Sequence, residues 1–268
     1  MSEIKKALEK ARKEGKIPLK EALVEDSPKD RAEQLPSPAY SQTRSVQVDL
    51  KKLIDRKVFS ILKKDEVADQ YKFLMTRILN KTRPNGYNTI EIASFKEGEG
   101  KSLTSVNLAI TLAKESRQTV LLVDMDLRRP SIHRILGIDL APGLKDYFLN
   151  GTPIKEILIH PGIERLTVLP AGGRMDNSTE IMDSHRMEAL ILEIKTRYKD
   201  RYIIFDAPAL NTCSDPLILA SYVDTIALVA RAGYTTTEDI TSGMALLKDK
   251  NILGIILNDS GIRRGWTY

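Results

Sequence analysis

Cysteine is almost missing from this chain of 268 residues. Cys213 is the only one, which excludes an internal disulfide framework and any multi-cysteine zinc site. Histidine is nearly as scarce: His133, His160 and His185 are scattered, without the short spacing of metal ligands. No apolar run approaches the roughly 18 residues that a membrane-spanning helix needs. The opening Met1-Ser2-Glu3-Ile4-Lys5-Lys6 lacks the apolar stretch of a signal peptide. A strong excess of one charge is absent too, since 41 Lys and Arg stand against 36 Asp and Glu. That balance permits an acidic partner without demanding one. Together these absences predict a soluble, cytoplasmic chain. What is present suits a folded domain: 42% of residues are apolar and 29% charged. At about 150 residues per domain, the length allows one large domain with an extension.

Composition shifts twice before residue 80. Residues 1–16 set Ile4, Ala7, Leu8 and Ala11 at helical spacing among Lys5, Lys6, Lys10, Arg12, Lys13 and Lys16. This predicts a basic amphipathic docking helix, its charges a solvated face rather than a nucleic-acid contact. Residues 17–63 carry Pro18, Pro28, Pro36 and Pro38 with few large apolar residues, and read as a linker. From about 64 to 260 the pattern changes to alternation. Strand-type runs at 89–93, 119–123, 165–169, 202–205, 225–230 and 253–257 are separated by helical stretches at about 64–80, 102–116, 184–199, 214–221 and 236–249. Near-continuous Val, Ile and Leu strands predict an α/β fold with a mostly parallel sheet and helices on both faces. Residues 261–268 form a short tail.

The first strand runs straight into Ser94-Phe95-Lys96-Glu97-Gly98-Glu99-Gly100-Lys101-Ser102. A strict P-loop has glycine at position 95, where this chain has phenylalanine. The half that does the chemistry is intact. Gly98 and Gly100 let backbone N–H groups turn around phosphate oxygens, with a helix N-terminus behind them. Lys101 can reach the β- and γ-phosphates, and the Ser102 hydroxyl can ligate Mg²⁺. The stretch from Lys96 through Glu97, Gly98, Glu99, Gly100, Lys101 and Ser102 to Leu103 is therefore the candidate ATP cradle of a P-loop NTPase.

A P-loop needs carboxylates to hold its Mg²⁺. The run Val120-Leu121-Leu122-Val123 ends in Asp124-Met125-Asp126-Leu127-Arg128-Arg129-Pro130, and Tyr202-Ile203-Ile204-Phe205 ends in Asp206-Ala207-Pro208. Residues two apart in an extended segment point the same way, so Asp124 and Asp126 can both face the phosphates. Ligands of open α/β sheets bind beyond the carboxyl ends of the strands, where all three acids fall. Asp124 and Asp206, with Ser102, are the candidate metal ligands. An Asp-x-Asp pair supplies one carboxylate for the metal and one general base for an incoming hydroxyl. Arg128 or Arg129 can neutralise a transferring phosphoryl group. Phosphotransfer is thereby possible, with water and a protein hydroxyl both open as acceptors.

These segments together resemble the bacterial tyrosine autokinases, the P-loop kinases of capsule and exopolysaccharide loci, over roughly residues 64–260. The most specific stretch is Val120-Leu-Leu-Val-Asp-Met-Asp-Leu-Arg-Arg-Pro130, followed by Pro142-Gly143-Leu144-Lys145-Asp146-Tyr147. Ile4-Lys5-Lys6-Ala7-Leu8-Glu9-Lys10-Ala11-Arg12 looks like the stand-alone branch linked to exosortase-type polysaccharide loci. The resemblance implies that Lys101 and Ser102 are the Walker A lysine and metal ligand, Asp124 and Asp126 the Walker A′ acids, and Asp206 the Walker B acid. Lys96 stands at the offset of the signature lysine of the partition and division ATPases. Asn258 resembles the asparagine that related P-loop ATPases place against the base. A further implication is a separate membrane chain-length protein whose cytoplasmic tail stimulates the kinase, holding this chain at the inner membrane through that partner. Two departures stand out. The family commonly ends in a tyrosine cluster, whereas the last eight residues here hold Tyr268 alone. The Glu-x-x-Arg-x-x-Arg ring contact reads Asp69, Lys72 and Met75, and a lysine cannot reproduce bidentate arginine geometry. Two other readings accompany the kinase: a regulatory ATPase of the partition or division type, and a nucleotide-binding scaffold without turnover.

Overall fold

The computed structural model describes residues 43–115, 119–197 and 201–261. The expected docking helix over 1–16, and the tail beyond Gly261 with Tyr268, lie outside the described residues. The strands are β1 (Arg44–Ser45), β2 (Thr89–Ser94), β3 (Val120–Asp124), β4 (Ile159–His160), β5 (Leu166–Leu169), β6 (Tyr202–Ala209), β7 (Thr225–Arg231) and β8 (Ile252–Asn258). They form one sheet in the order β1-β4-β5-β3-β6-β2-β7-β8. All neighbouring pairs are parallel except β4 with β5.

The strand period of two explains why the sheet is covered on both sides. Ile90, Ile92, Val120, Leu122, Tyr202, Ile204, Ala227 and Val229 enter one buried cluster, and Ala93, Leu121, Val123, Ile203, Phe205, Ile226 and Leu228 enter the other. Helices α1 (Leu50–Asp55), α2 (Glu66–Thr82), α3 (Lys101–Glu115) and α4 (Ile132–Leu136) send apolar residues into the first. Helices α5 (Leu144–Asn150), α6 (Ile154–Ile157), α7 (Ser178–Met182), α8 (His185–Arg197), α9 (Asp215–Leu219) and α10 (Thr237–Leu246) serve the second. The carboxylate of Asp65 starts α2 by accepting from the Val67 and Ala68 N–H groups at 2.8 and 3.0 Å, a standard N-cap.

The linker expected over 17–63 is corrected at its second half. Residues 43–62 belong to the folded body: β1 pairs with β4, and Val48, Leu53 and Val58 are buried. Their spacing of five matches neither strand nor helix period, so no short window reveals them. The 3-10 turn Phe59–Ile61 is locked to α3 from afar. Asn107 Oδ1 accepts from Ser60 N–H at 3.0 Å, Thr111 donates to Ser60 Oγ at 2.9 Å, and Lys114 reaches the Ser60 and Ile61 carbonyls at 3.1 Å. Among the described residues no helix is long and apolar enough to cross a membrane.

Candidate active site at the β2, β3 and β6 strand ends

Strand β2 leaves the sheet through a register shift between Ile92 and Ser94 and turns over residues 95–100 into α3. Gly98 and Gly100 sit at φ +80° and +91°, left-handed backbone that glycine adopts without a Cβ penalty. A Cβ on Gly100 would also stand 2.2 Å from Asn258 Nδ2. Phe95, where a strict P-loop has glycine, is 2% exposed and packs into the second cluster. Space for its ring comes from α10: a Cβ on Gly243 would lie 2.6 Å from Phe95 Cδ1. The missing glycine is thus replaced by an apolar plug with a matching glycine opposite.

The loop borders a cleft of about 550 Å³, lined among others by Gly98, Lys101, Asp126, Arg128, Arg129 and Thr212. Parallel pairing sets Asp124 directly beside Asp206. Lys101 Nζ donates to Asp126 Oδ2 at 2.7 Å and to Ser102 Oγ at 3.3 Å. Asp126 Oδ1 accepts from Arg129 N–H at 2.9 Å. Asp124 spends Oδ2 on the N–H groups of Ser131 and Ile132, at 3.1 and 3.0 Å, and Asp206 spends Oδ1 on Ser105 Oγ at 3.0 Å. Their other oxygens, Asp124 Oδ1 and Asp206 Oδ2, are buried with no hydrogen-bond partner.

Burial pushes the Asp124 carboxyl well above the usual carboxylate range, and the neighbouring Asp206 adds to it. Burial raises Asp206 too, against the opposing pull of Lys101. For Lys101, burial works against the charged form, but Asp206, Asp126 and Asp124 outweigh it and raise its pKa. An acceptor left bare inside a protein is costly. One bare oxygen on each of two neighbouring carboxylates fits a hard divalent cation. Among the described residues no three His, Cys, Asp or Glu side chains are grouped to hold a metal by themselves. A Mg²⁺ ion held there would keep waters and take one or two carboxylates plus phosphate oxygens.

Several residues predicted for the cradle have side chains engaged elsewhere. Lys96 Nζ pairs with Asp239 Oδ2 at 2.7 Å, donates to the Tyr234 carbonyl at 3.1 Å and lies 4.5 Å from the Tyr234 ring centroid. Glu99 is fully buried behind the loop, where it accepts from Lys96 N–H at 2.8 Å and from Thr235 Oγ1. Asn258 donates to the Glu99 carbonyl at 2.9 Å, so it holds the loop's backbone. The Leu103 side chain packs against the first cluster. Glu97 lines the cleft and is paired with Arg129.

Arg128 lines the cleft, yet its guanidinium is anchored. It reaches Asp215 Oδ2 at 3.4 Å and donates to Thr179 Oγ1 at 2.9 Å. Asp215 is fully buried and also accepts from Ser178 Oγ and Thr179 Oγ1, both at 2.5 Å. This three-segment knot went unpredicted. Its partners are 36 to 87 residues apart, and the only local hint is an aspartate in the first turn of a helix. Cys213, two residues away, is half-buried, and burial raises its thiol pKa.

A model of an AAA domain matches residues 87–249. The tyrosine-protein kinase CpsD of Streptococcus agalactiae is 31% identical over 172 residues, 63% of this chain and 74% of that relative. The crystal structure of the VpsO kinase domain covers 72% of this chain and 95% of its own at 30% identity, with a TM-score of 0.65. The Pyrococcus furiosus cell division ATPase MinD aligns over 65% of this chain and 73% of its own at 25% identity, with a TM-score of 0.55. On the strength of that domain match and of a kinase relative covered across most of its length, the chain belongs to the AAA domain family and, within it, to the bacterial tyrosine-protein kinases.

Proposed function

We propose that this chain is an ATP- and Mg²⁺-dependent protein-tyrosine autokinase that regulates the chain length, synthesis or export of a capsular or extracellular polysaccharide. The observation that carries the reading is the pair of bare, buried oxygens on Asp124 and Asp206 beside Lys101 and Ser102. Ser102, Asp124 and Asp206 would hold Mg²⁺, which supplies charge neutralisation on the phosphate oxygens. Gly98 and Gly100 orient the loop's backbone toward the phosphates, and Lys101 supports the β- and γ-phosphates. Asp126 is then the base that accepts a proton from the incoming tyrosine hydroxyl, whose ordinary pKa near 10 makes such assistance useful. Arg128, anchored by Asp215 and Thr179, offers a fixed positive charge at the wall of the cleft.

The partner belongs to the same proposal: a membrane-embedded chain-length protein that docks on residues 1–16 and keeps the kinase at the inner membrane. A ring of copies has less support. Lys72 is paired with Asp69 of its own helix at 3.0 Å, and Met75 packs into the first cluster, so neither projects as a free arginine would.

Incubation of the purified chain with Mg-ATP, followed by phosphosite mapping, tests the activity with Lys101→Met as control. Phosphotyrosine that disappears in Lys101→Met is the expected outcome. Phosphate release without protein phosphorylation would overturn the kinase reading in favour of an ATPase of the partition or division type. Nucleotide binding without either leaves a scaffold.

A further inference from the structure

The kinase reading leaves its phosphoryl acceptor unnamed, and the surface beside the phosphate loop supplies a candidate. Tyr234, in the turn between β7 and α10, is the one tyrosine among the described residues with an exposed side chain, at 45%. Others are occupied: Tyr202 is buried with its hydroxyl 2.9 Å from Thr82 Oγ1, and Tyr71 is half-buried beside Thr104.

The position of Tyr234 is as informative as its exposure. Its hydroxyl lies 4.0 Å from where a Cβ on Gly98 would stand, so it borders the phosphate loop. It is not among the residues lining the cleft of its own chain. Lys96 Nζ lies 4.5 Å from the ring centroid and the Arg231 guanidinium carbon 5.7 Å. Asp239 holds Lys96 at 2.7 Å and Asp259 holds Arg231 at 3.1 Å. Two cations thus lie against the ring that carries this exposed hydroxyl. A phosphate dianion placed there gains charge-assisted hydrogen bonds, in competition with those two aspartates.

We propose that Tyr234 is a phosphoryl acceptor modified by a second copy of this chain, and that the phosphate draws Lys96 and Arg231 onto itself. The inference rests on the kinase reading. Transfer runs between copies because Tyr234 borders the phosphate loop without lining the cleft of its own chain. In the step, Tyr234 Oη forms a bond to the γ-phosphorus of ATP held by the other copy. The bond from that phosphorus to the β,γ-bridging oxygen breaks, and its electron pair leaves with ADP. The phenol proton passes to the Asp-x-Asp carboxylates of the copy that holds the nucleotide. Lys96 is one of the residues whose side chains tie the loop to α10. Its capture by phosphate changes how firmly the loop is braced, which gives the modification a route back to nucleotide binding.

The test uses the full chain with Mg-ATP and site mapping by mass spectrometry. Wild type, Lys101→Met, Tyr234→Phe and a mixture of the two variants are compared. Tyr234→Phe keeps the ring and removes only an exposed hydroxyl, so it folds. The expected results are phosphate on Tyr234 in wild type, and total phosphotyrosine reduced at least about twofold in Tyr234→Phe. In the mixture, the Lys101→Met protein becomes labelled at its own Tyr234 by the active Tyr234→Phe protein. Phosphotyrosine found elsewhere with Tyr234 unmodified, or undiminished in Tyr234→Phe, overturns this inference and leaves the kinase reading standing. No phosphotyrosine anywhere overturns both.

Discussion

The two flanks of the phosphate loop are built from the same kinds of residue and are finished differently. On the cleft flank, Asp124 and Asp206 each leave one oxygen buried and bare. On the α10 flank, Glu99 is equally buried but accepts from Lys96 N–H and Thr235 Oγ1, while Asn258 takes its carbonyl. Lys96 and Asp239 complete that bracing, and the pair holds the Asp239 carboxyl at about 2. The contrast teaches how to separate a ligand site from a scaffold among buried charges. Away from the cleft, a buried carboxylate whose partners are all supplied by the chain holds structure, and one left incomplete at the edge of the cleft waits for something the chain does not contain.

The sharpest way to break this comparison is Asp206→Asn. The variant loses phosphotransfer by about a thousandfold or more, on the order of 4 kcal/mol of barrier. Its melting temperature holds or rises by a few degrees, because one of two adjacent buried carboxylates is gone. A parallel loss of folding and activity would place Asp206 on the scaffold side. Asp215→Ala comes next. It strips partners from Ser178, Thr179 and Arg128 together and is expected to cost about 2–3 kcal/mol in urea unfolding. Turnover falls with it, since Arg128 loses its anchor; unchanged turnover in the folded variant would remove Arg128 from the chemistry.

Glu99→Ala tests the braced flank. Expected are a stability loss of about 1–3 kcal/mol, from unpaired Lys96 N–H and Thr235 hydroxyl groups, and a higher KM for ATP with a smaller change in kcat. A kcat collapse with unaltered stability would make Glu99 a catalytic group instead.

The smallest expected effect sharpens the rule, because Glu91 is an exception to it. This β2 carboxyl is buried with Oε2 bare, yet it is not among the residues lining the cleft beside the phosphate loop. Burial raises its pKa well above the usual value, with Lys250 opposing. The folded state therefore keeps a proton that the unfolded state gives up. Its contribution to stability is intact below the unfolded pKa near 4.5, and falls as pH rises through and above that value. The slope is up to about 1.4 kcal/mol per pH unit, until the folded pKa is reached. Glu91→Gln should be more stable than wild type near neutral pH and lose this slope, as thermal melts between pH 5 and 8 would read. Equal slopes in both proteins would show that Glu91 ionises freely.

Much of this was legible along the chain. The core strands and the loop between β2 and α3 announce themselves through local period and glycine placement. Asp124, Asp126 and Asp206 follow because acids ending buried strands must point where ligands bind. The segment over 43–62 was not legible, since the spacing of five between Val48, Leu53 and Val58 is neither a strand nor a helix period, and the segment is held by α3. Nor were the short helices α4 to α7, which are too brief to show a helical period.

What the sequence by itself determined was the sheet, the phosphate loop and the line of carboxylates at its edge, because each depends on neighbours within a few residues. Tertiary structure alone decided which charge meets which. Lys96 went to Asp239, 143 residues on, and Arg128 to Asp215. A charge has no period to betray its partner, and in a folded chain the partner is chosen by proximity across the sheet. That choice separates the carboxylates left open for a ligand from those that hold the loop in place.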